Sequence, residues 1–318
     1  MKIGNIELKN NIILAPMAGV ADLPFRIVCH EFGAGLSYTE MVSAKALSFE
    51  NKKTYKLMNT ENLPTAVQLF GSDPETVAAA VPEAEKRGLF LDINMGCPAP
   101  KITGNGEGSA LMKDLGRAGA IIEAAVSVAT KPVTVKMRAG WDEEHINAPE
   151  LARIAEKAGA AAVTVHGRTR QQFYSGRSSR DVIRRVREEI SIPLIANGDV
   201  SEPDDALSLL NDTGANGVMV GRGCQGRPWI FARIEALLER GEAMPDPPAE
   251  ERMKLALRHI NLIVEYKGEH VGILEARKHA AWYIHGLHGA AALRNDINSA
   301  VTLEKMTEIL QKAIDVQS

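Results

Sequence analysis

One cysteine is set apart from the rest of this chain: Asn94-Met95-Gly96-Cys97-Pro98, followed by Ala99-Pro100-Lys101. The apolar run Leu89-Phe90-Leu91-Asp92-Ile93 stands directly before it, so a buried strand ends in a tight, proline-stiffened loop that displays a thiol. Such a thiol has two uses. As a thiolate it is a nucleophile, which requires a neighbour that pulls its pKa down. With the ordinary pKa of about 8.5 it stays protonated at neutral pH and can donate that proton. No activating partner stands beside Cys97 in sequence, although His166 ends another apolar run. Cys29 and Cys224 read as small buried apolar residues.

Polar groups recur at the ends of the other apolar runs. Strands are predicted at 12–15, 36–41, 65–70, 90–94, 133–138, 162–166, 194–197 and 217–220. In order, they end in Ala15-Pro16-Met17-Ala18, Thr39-Glu40-Met41, Gln68, Asn94, Lys136 with Arg138, His166 with Arg168, Asn197-Gly198-Asp199 and Gly221-Arg222-Gly223. A core has no reason to put Gln, Lys, His and Asn at one level on neighbouring strands. Gly198 and Gly221-Arg222-Gly223 free backbone amides for an anion such as phosphate, with Arg222 as a further donor; two tight turns without a ligand are the alternative. A cation at Lys136 can sit against the pyrimidine edge of a flavin and stabilise its anionic reduced form, and Gln68 can hydrogen-bond the same ring.

The elements that must hold these groups alternate between strand and helix. Asp22-Leu23-Pro24, Asp73-Pro74-Glu75, Ala148-Pro149-Glu150 and Glu202-Pro203-Asp204 each put proline or acid in a first helical turn. Eight strands alternating with helices over about 240 residues predict a closed α/β (β/α)8 barrel (TIM barrel), with active-site residues at the C-terminal strand ends. An open doubly wound sheet is the competitor, but no G-x-G-x-x-G follows the first strand. Three prolines between Gly241 and Ala249 mark a connector, so residues 1–241 are expected to form the barrel and 246–318 a small all-helical domain, with helices at 250–267, 272–287 and 302–314.

A net charge of −3 argues against a protein that coats nucleic acid by charge alone, so any RNA grip must be local. Three scattered cysteines suit neither a disulfide framework nor a structural metal site, and point to a reducing compartment. Without a leader-like N-terminus or a long apolar run, a cytoplasmic protein with no membrane span is expected, and a monomer.

With these residues assembled, the chain resembles the tRNA-dihydrouridine synthases essentially end to end. The resemblance rests on Ala15-Pro16-Met17-Ala18-Gly19-Val20, Thr39-Glu40-Met41-Val42, Gln68-Leu69-Phe70-Gly71, the cysteine loop through Lys101, Val135-Lys136-Met137-Arg138, His166-Gly167-Arg168-Thr169-Arg170, Asn197-Gly198-Asp199 and Gly221-Arg222-Gly223. Within the family it is most similar to the bacterial branch whose tail carries Lys278-His279-Ala280-Ala281-Trp282-Tyr283. The resemblance implies a barrel that binds flavin mononucleotide (FMN), a helical tRNA-binding domain, and reduction of the C5=C6 bond of selected uridines with NADPH. It further implies FMN contacts at Pro16, Met17, Ala18, Gln68, Lys136, His166, Asn197, Gly198, Asp199, Gly221 and Arg222, with Cys97 as proton donor. Lys101 and Arg168 are implied to face substrate or phosphate, Asn94 to face substrate, and Arg277, Lys278 and His285 of the tail to face tRNA. Two positions depart from the family pattern: Glu107 stands where a small residue is usual, and His285 where a lysine is common.

The residues suit that chemistry independently. Hydride addition at C6 of uracil leaves an enolate on O4, and an acid on the other side must protonate C5, which a thiol on a stiff loop can do. In the tail, Arg277, Lys278, His279, His285, His288 and Arg294 fall in a segment without acids, a local basic surface for folded RNA, while Trp282 and Tyr283 read as core. Two rival readings are a flavin reductase of a free pyrimidine and a flavoprotein that binds tRNA without reducing it. A phosphate-binding barrel without flavin is the third.

Overall fold

Strands that are apolar on both faces must be covered on both, and here they pair in parallel with helices outside. The order is β3 (Ile12–Leu14), β11 (Gly217–Val220), β10 (Leu194–Asn197), β9 (Ala162–His166), β8 (Val133–Arg138), β7 (Leu91–Met95), β6 (Thr65–Phe70) and β4 (Ser37–Tyr38). A parallel bridge between Ile13 and Leu36, with Leu14 N donating to the Leu36 carbonyl at 2.9 Å, joins the two ends and closes the barrel. The computed structural model describes residues 1–49 and 52–317.

The second barrel strand differs from the continuous run expected at 36–41. It divides into β4 and β5 (Val42–Ser43), both paired with β6. Between them, Thr39 Oγ1 accepts from Gln68 N at 3.1 Å, so a side chain replaces a ladder carbonyl, and the Glu40 carboxylate accepts from Gly19 N. The other predicted strands lie within a residue of their observed limits.

The lower barrel is filled from within. A hairpin of β1 (Lys2–Ile3) and β2 (Ile6–Glu7) brings Ile3 and Leu8 against Ile13, Phe90, Ile195 and Met219. The C-terminal strand ends are left open for a site.

The helix starts behave as their sequences dictate. Asp22 Oδ1 accepts from Phe25 N at 3.0 Å, Asp73 Oδ2 from Thr76 N at 2.8 Å, and Glu202 with Asp205 closes a reciprocal capping box. At the fourth start Pro149 occupies the first turn without a side-chain cap.

After the barrel come helices Ala249–Lys267, Glu269–Tyr283, Ala290–Ser299 and Leu303–Gln317. They enclose their own core of Met253, Ile260, Ile263, Ile273, Tyr283 and Leu310. The third was not expected, because its only fully buried side chain is Ile297 and the apolar stripe is too weak to read. The second begins at Glu269 rather than 272 because Gly272 lies inside it, where a Cβ would come 2.9 Å from Val264 Cα and the helices pack closely. The connector is pinned: Asp246 accepts from Trp229 Nε1 at 3.0 Å and Arg233 Nη1 at 2.6 Å, and pairs with Arg227 at 3.2 Å.

The helices also rest on the barrel. Phe25 stacks on His259 with ring centroids 5.5 Å apart, Lys267 pairs with Asp22, and Arg258 with Glu31. At Gly226, with φ +68°, a Cβ would lie 2.4 Å from the Trp282 carbonyl carbon, so glycine permits this approach. Among the described residues, no helix is long and apolar enough to cross a membrane.

Candidate active site

The loop after β7 is held from its own strand end, from the segment at Ser109 and from the neighbouring strand. Asn94 Oδ1 accepts from Gly96 N at 3.1 Å and Cys97 N at 2.9 Å. The Cys97 carbonyl accepts from Ser109 N at 3.0 Å and Ser109 Oγ at 2.8 Å, and the Gly96 carbonyl from Arg138 Nε at 2.9 Å. Gly108, at φ +60°, lets that second segment close in, since a Cβ there would lie 2.8 Å from the Cys97 carbonyl oxygen. Cys97 therefore faces, from a stiff loop, a cavity of about 690 Å³ at the C-terminal ends of the strands.

Burial pushes the Cys97 thiol pKa up, against the Ala99 amide and the charges of Arg138 and Lys136, which pull it down. It is a thiol rather than a thiolate at neutral pH. Lys136, from the adjacent strand, lines the same cavity and donates to Asn197 Oδ1 at 3.2 Å. Burial and the nearby Arg138 charge bring its pKa down to about 8, against the pull of Asp92 and Cys97. His166 is held well below its ordinary value by burial and by the cations Lys136, Arg138, Arg168 and Arg222. Its ring is neutral. Arg168 Nη1, which can only donate, lies 3.4 Å from Nε2, so the imidazole proton sits on Nδ1.

The loops after β10 and β11 separate the glycines by role. Gly198, at φ +128°, has Ser178 Oγ 2.3 Å from where a Cβ would stand, and at Gly223 the Val200 carbonyl oxygen is at 2.0 Å. Those two are required by packing. At Gly221 the nearest atom would be 3.7 Å away, so its backbone faces open space in the cavity. Asp199, at φ +55°, accepts from Arg168 Nη2 at 2.9 Å and Ser178 N at 2.7 Å. Arg222 lies over the Tyr174 ring at 4.7 Å and within 3.8 Å of Asp199.

Pro16, Met17 and Ala18 form the wall from β3, and Gln68 and Asn94 line the cavity from β6 and β7. Arg168 also lines it, but is buried and committed to Asp199 and the carbonyls of Ser175 and Gly176. Lys101 is exposed on the short helix Pro100–Thr103 outside the cavity lining. Among the lining residues that carried no assigned role from sequence, Arg138, Phe173 and Tyr174 bear most on the shape of the mouth. Arg138 donates to the Thr169 and Phe173 carbonyls, each at 2.8 Å, besides that of Gly96. Phe173 and Tyr174 stand exposed at the mouth, edge to face with centroids 5.0 Å apart. An adjacent aromatic pair just after His166-Gly167-Arg168-Thr169-Arg170, in a chain with only 5% aromatics, was the available signal.

A family model described as Dihydrouridine synthase (Dus) matches residues 13–318. The chain belongs to the dihydrouridine synthase family. It is 46% identical over 302 residues to a probable tRNA-dihydrouridine synthase of Rickettsia bellii, covering 94% of this chain and 93% of the relative. It is 41% identical over 318 residues to tRNA-dihydrouridine synthase B of Vibrio cholerae, covering 99% of each. Among solved structures, TcOYE with pHBA superposes with a TM-score of 0.54 at 12% identity, over 79% of this chain and 94% of that one, a likeness of fold.

In this family member the basic stretch of the tail is not one surface. His279 is buried against Phe25 and His259, so it is no part of an RNA-facing patch. Arg277 donates through Nε at 2.9 Å and Nη2 at 2.6 Å to the Ala300 carbonyl, and Lys278 donates to the Gly19 carbonyl beside the β3 wall. His285, His288 and Arg294 are exposed. Tyr283 is buried and Trp282 half-buried. Glu107 is half-buried at the start of the turn that supports Cys97, with its pKa raised by burial against the pull of Lys45.

Proposed function

We propose that this chain is a tRNA-dihydrouridine synthase that reduces the C5=C6 bond of uridines in tRNA with NADPH, using FMN held in the barrel mouth. The carrying observation is Cys97: a thiol kept protonated by its surroundings lines one cavity with Lys136 and the neutral His166.

The residues fit the cofactor. The cavity, about 690 Å³, is of the size that takes such ligands. A half-buried ammonium suits an electron-rich ring edge, and the open backbone of Gly221 with Arg222 beside it suits a phosphate. Pro16, Met17, Ala18, Gln68, Lys136, His166, Asn197, Gly198, Asp199, Gly221 and Arg222 would hold it, Gly198 and Asp199 by shaping the loop. When bound, the flavin supplies hydride to C6 of the uracil.

The chain supplies the rest. Cys97 gives its proton to C5 of the resulting enolate, while the stiff loop keeps the thiol from turning away. Lys136 keeps a positive charge in the mouth below about pH 8. The target uridine must leave its stack to enter, so the surrounding RNA needs a separate grip. We assign that grip to residues 246–318, joined by a linker at 241–249 to a catalytic barrel of residues 1–241. Lys101, His285 and Arg294 are exposed and suited to meet RNA, whereas Arg168, Arg277 and Lys278 act by holding loops. Three free cysteines support a reducing compartment, the cytoplasm.

The test compares NADPH oxidation by the flavin-loaded protein on unmodified tRNA and on free uridine, with dihydrouridine scored by mass spectrometry. Turnover on tRNA alone is expected. Comparable turnover on the nucleoside would favour a free-pyrimidine reductase.

A further inference from the structure

Behind the cysteine loop lies a carboxylate that does not line the cavity. Asp92 is fully buried in the barrel interior on β7. Its Oδ2 accepts from Gln68 Nε2 at 2.7 Å, and its Oδ1 from Thr134 Oγ1 at 2.6 Å. Gln68 Oε1 in turn accepts from Asn94 Nδ2 at 2.8 Å, and Asn94 Oδ1 takes the Gly96 and Cys97 amides. Four groups thus form one directed chain from the barrel centre to the thiol-bearing loop.

The direction follows from chemistry. The ionised carboxylate can only accept, so it takes the NH2 end of Gln68 and leaves the oxygen for Asn94, and the protonated acid keeps one oxygen that accepts the same bond. Backbone N–H groups only donate, so they require the oxygen of Asn94. The two ends agree, and each amide is fixed in one orientation. Holding an acid here has a cost: burial brings the Asp92 pKa up to about 7, although Thr134, Gln68 and the Lys136 charge pull it back. Tyr38 is the other titratable group that faces it, its own ionisation suppressed by burial and by Asp92.

We propose that Asp92 is a positioning residue that, through Gln68 and Asn94, holds the Gly96-Cys97 backbone and so fixes where the Cys97 thiol lies in the cavity. This rests on the proposed reduction for its effect on rate, but not for its effect on the thiol.

The test uses Asp92→Val, Asp92→Asn and Asn94→Ala in the full chain. Valine suits a buried strand but gives Gln68 no acceptor. Asparagine can still accept from Gln68 through its oxygen while its NH2 meets the Thr134 hydroxyl. The first readout is alkylation of Cys97 by iodoacetamide, located by peptide mass spectrometry, across pH. The second is single-turnover dihydrouridine formation on tRNA with flavin content checked by absorbance. Expected for Asp92→Val are faster alkylation and a rate lower by about 10- to 100-fold, with KM for tRNA held. Asp92→Asn restores both towards wild type, which a role in filling space would not produce. Equal behaviour of the Val and Asn variants, or wild-type alkylation in Asp92→Val, overturns the proposal. If Asp92→Val fails to fold, Asn94→Ala decides, since unchanged alkylation there removes the last link. A wild-type protein that forms no dihydrouridine would refute the reduction, while the alkylation series would still judge the relay.

Discussion

Arg138 Nε donates to the Gly96 carbonyl at 2.9 Å, tying the strand that carries Lys136 to the loop that carries Cys97. The same guanidinium reaches the carbonyls of Thr169 and Phe173 in the loop after β9, so one buried side chain sets the spacing of two loops around the cavity. A lysine has no planar fork to serve three carbonyls. Arg138→Lys should lower dihydrouridine formation by about 10- to 100-fold through misplacement of the thiol. Single-turnover kinetics would reveal it, and a rate within twofold of wild type would show that the loop holds itself.

Cys97→Ala removes the acid and leaves the cavity walls intact. The expected loss is about 10²-fold or more in rate, with tRNA affinity in a filter-binding assay unchanged. Full activity in this variant would take Cys97 out of the mechanism. Unaltered tRNA binding with no dihydrouridine from the wild type itself would favour the non-catalytic reading.

The pH profile should carry an alkaline limb from Lys136. Its pKa lies near 8, so the charge is present below that value and lost as pH rises through it. The rate of flavin-loaded protein should therefore fall on the alkaline side, with a midpoint at or above pH 8 because an electron-rich ring edge against the ammonium favours its charged form. Lys136→Arg should move the limb upward whatever it does to the plateau, and a limb that stays in place belongs to another group.

Acid should loosen the seat of the helices on the barrel. His259 is fully buried against Phe25 with its pKa brought down to about 4, from burial first, with Lys267 adding and Asp22 opposing. A histidine lowered in the fold gives stability that is present above its unfolded pKa of about 6.5 and lost as pH falls through 4. Over that window the loss is on the order of 3 kcal/mol. His259→Leu should flatten the fall in Tm between pH 7 and 4.5 seen by circular dichroism. An equally steep fall in the variant would place the acid sensitivity elsewhere, with His279 the next group to test.

Gly226→Ala puts a Cβ where the Trp282 backbone already lies, at a left-handed φ of +68°. A loss of at least about 1–2 kcal/mol in thermal or urea unfolding is expected. If the tail grips RNA, tRNA binding should weaken while flavin absorbance persists. Wild-type stability would mean that the helices shift without cost.

Much of the site was legible because barrel geometry converts strand order into spatial order. Once eight strands alternate with helices, the residues ending each must share one rim, so Gln68, Asn94, Cys97, Lys136, His166 and Asn197 were brought together by counting alone. Asp92 was visible as an acid within an apolar run, but its partners come from strands 24 and 42 positions away in sequence. The break between β4 and β5 was hidden because a threonine hydroxyl stands in for a carbonyl, which no periodicity records.

The sequence by itself determined the barrel, its helical appendage and the rim that carries the chemistry, since short continuous apolar runs, proline-acid helix starts and a displayed thiol are local signals. Tertiary structure decided the roles within that rim. It separated Gly221, open to the cavity, from Gly198 and Gly223, which serve packing, and it divided the basic tail into buried, pinned and exposed residues. It also set the states of Cys97, Lys136 and His166, because burial and the sum of nearby charges fix a proton's affinity and neither is written in nearest neighbours.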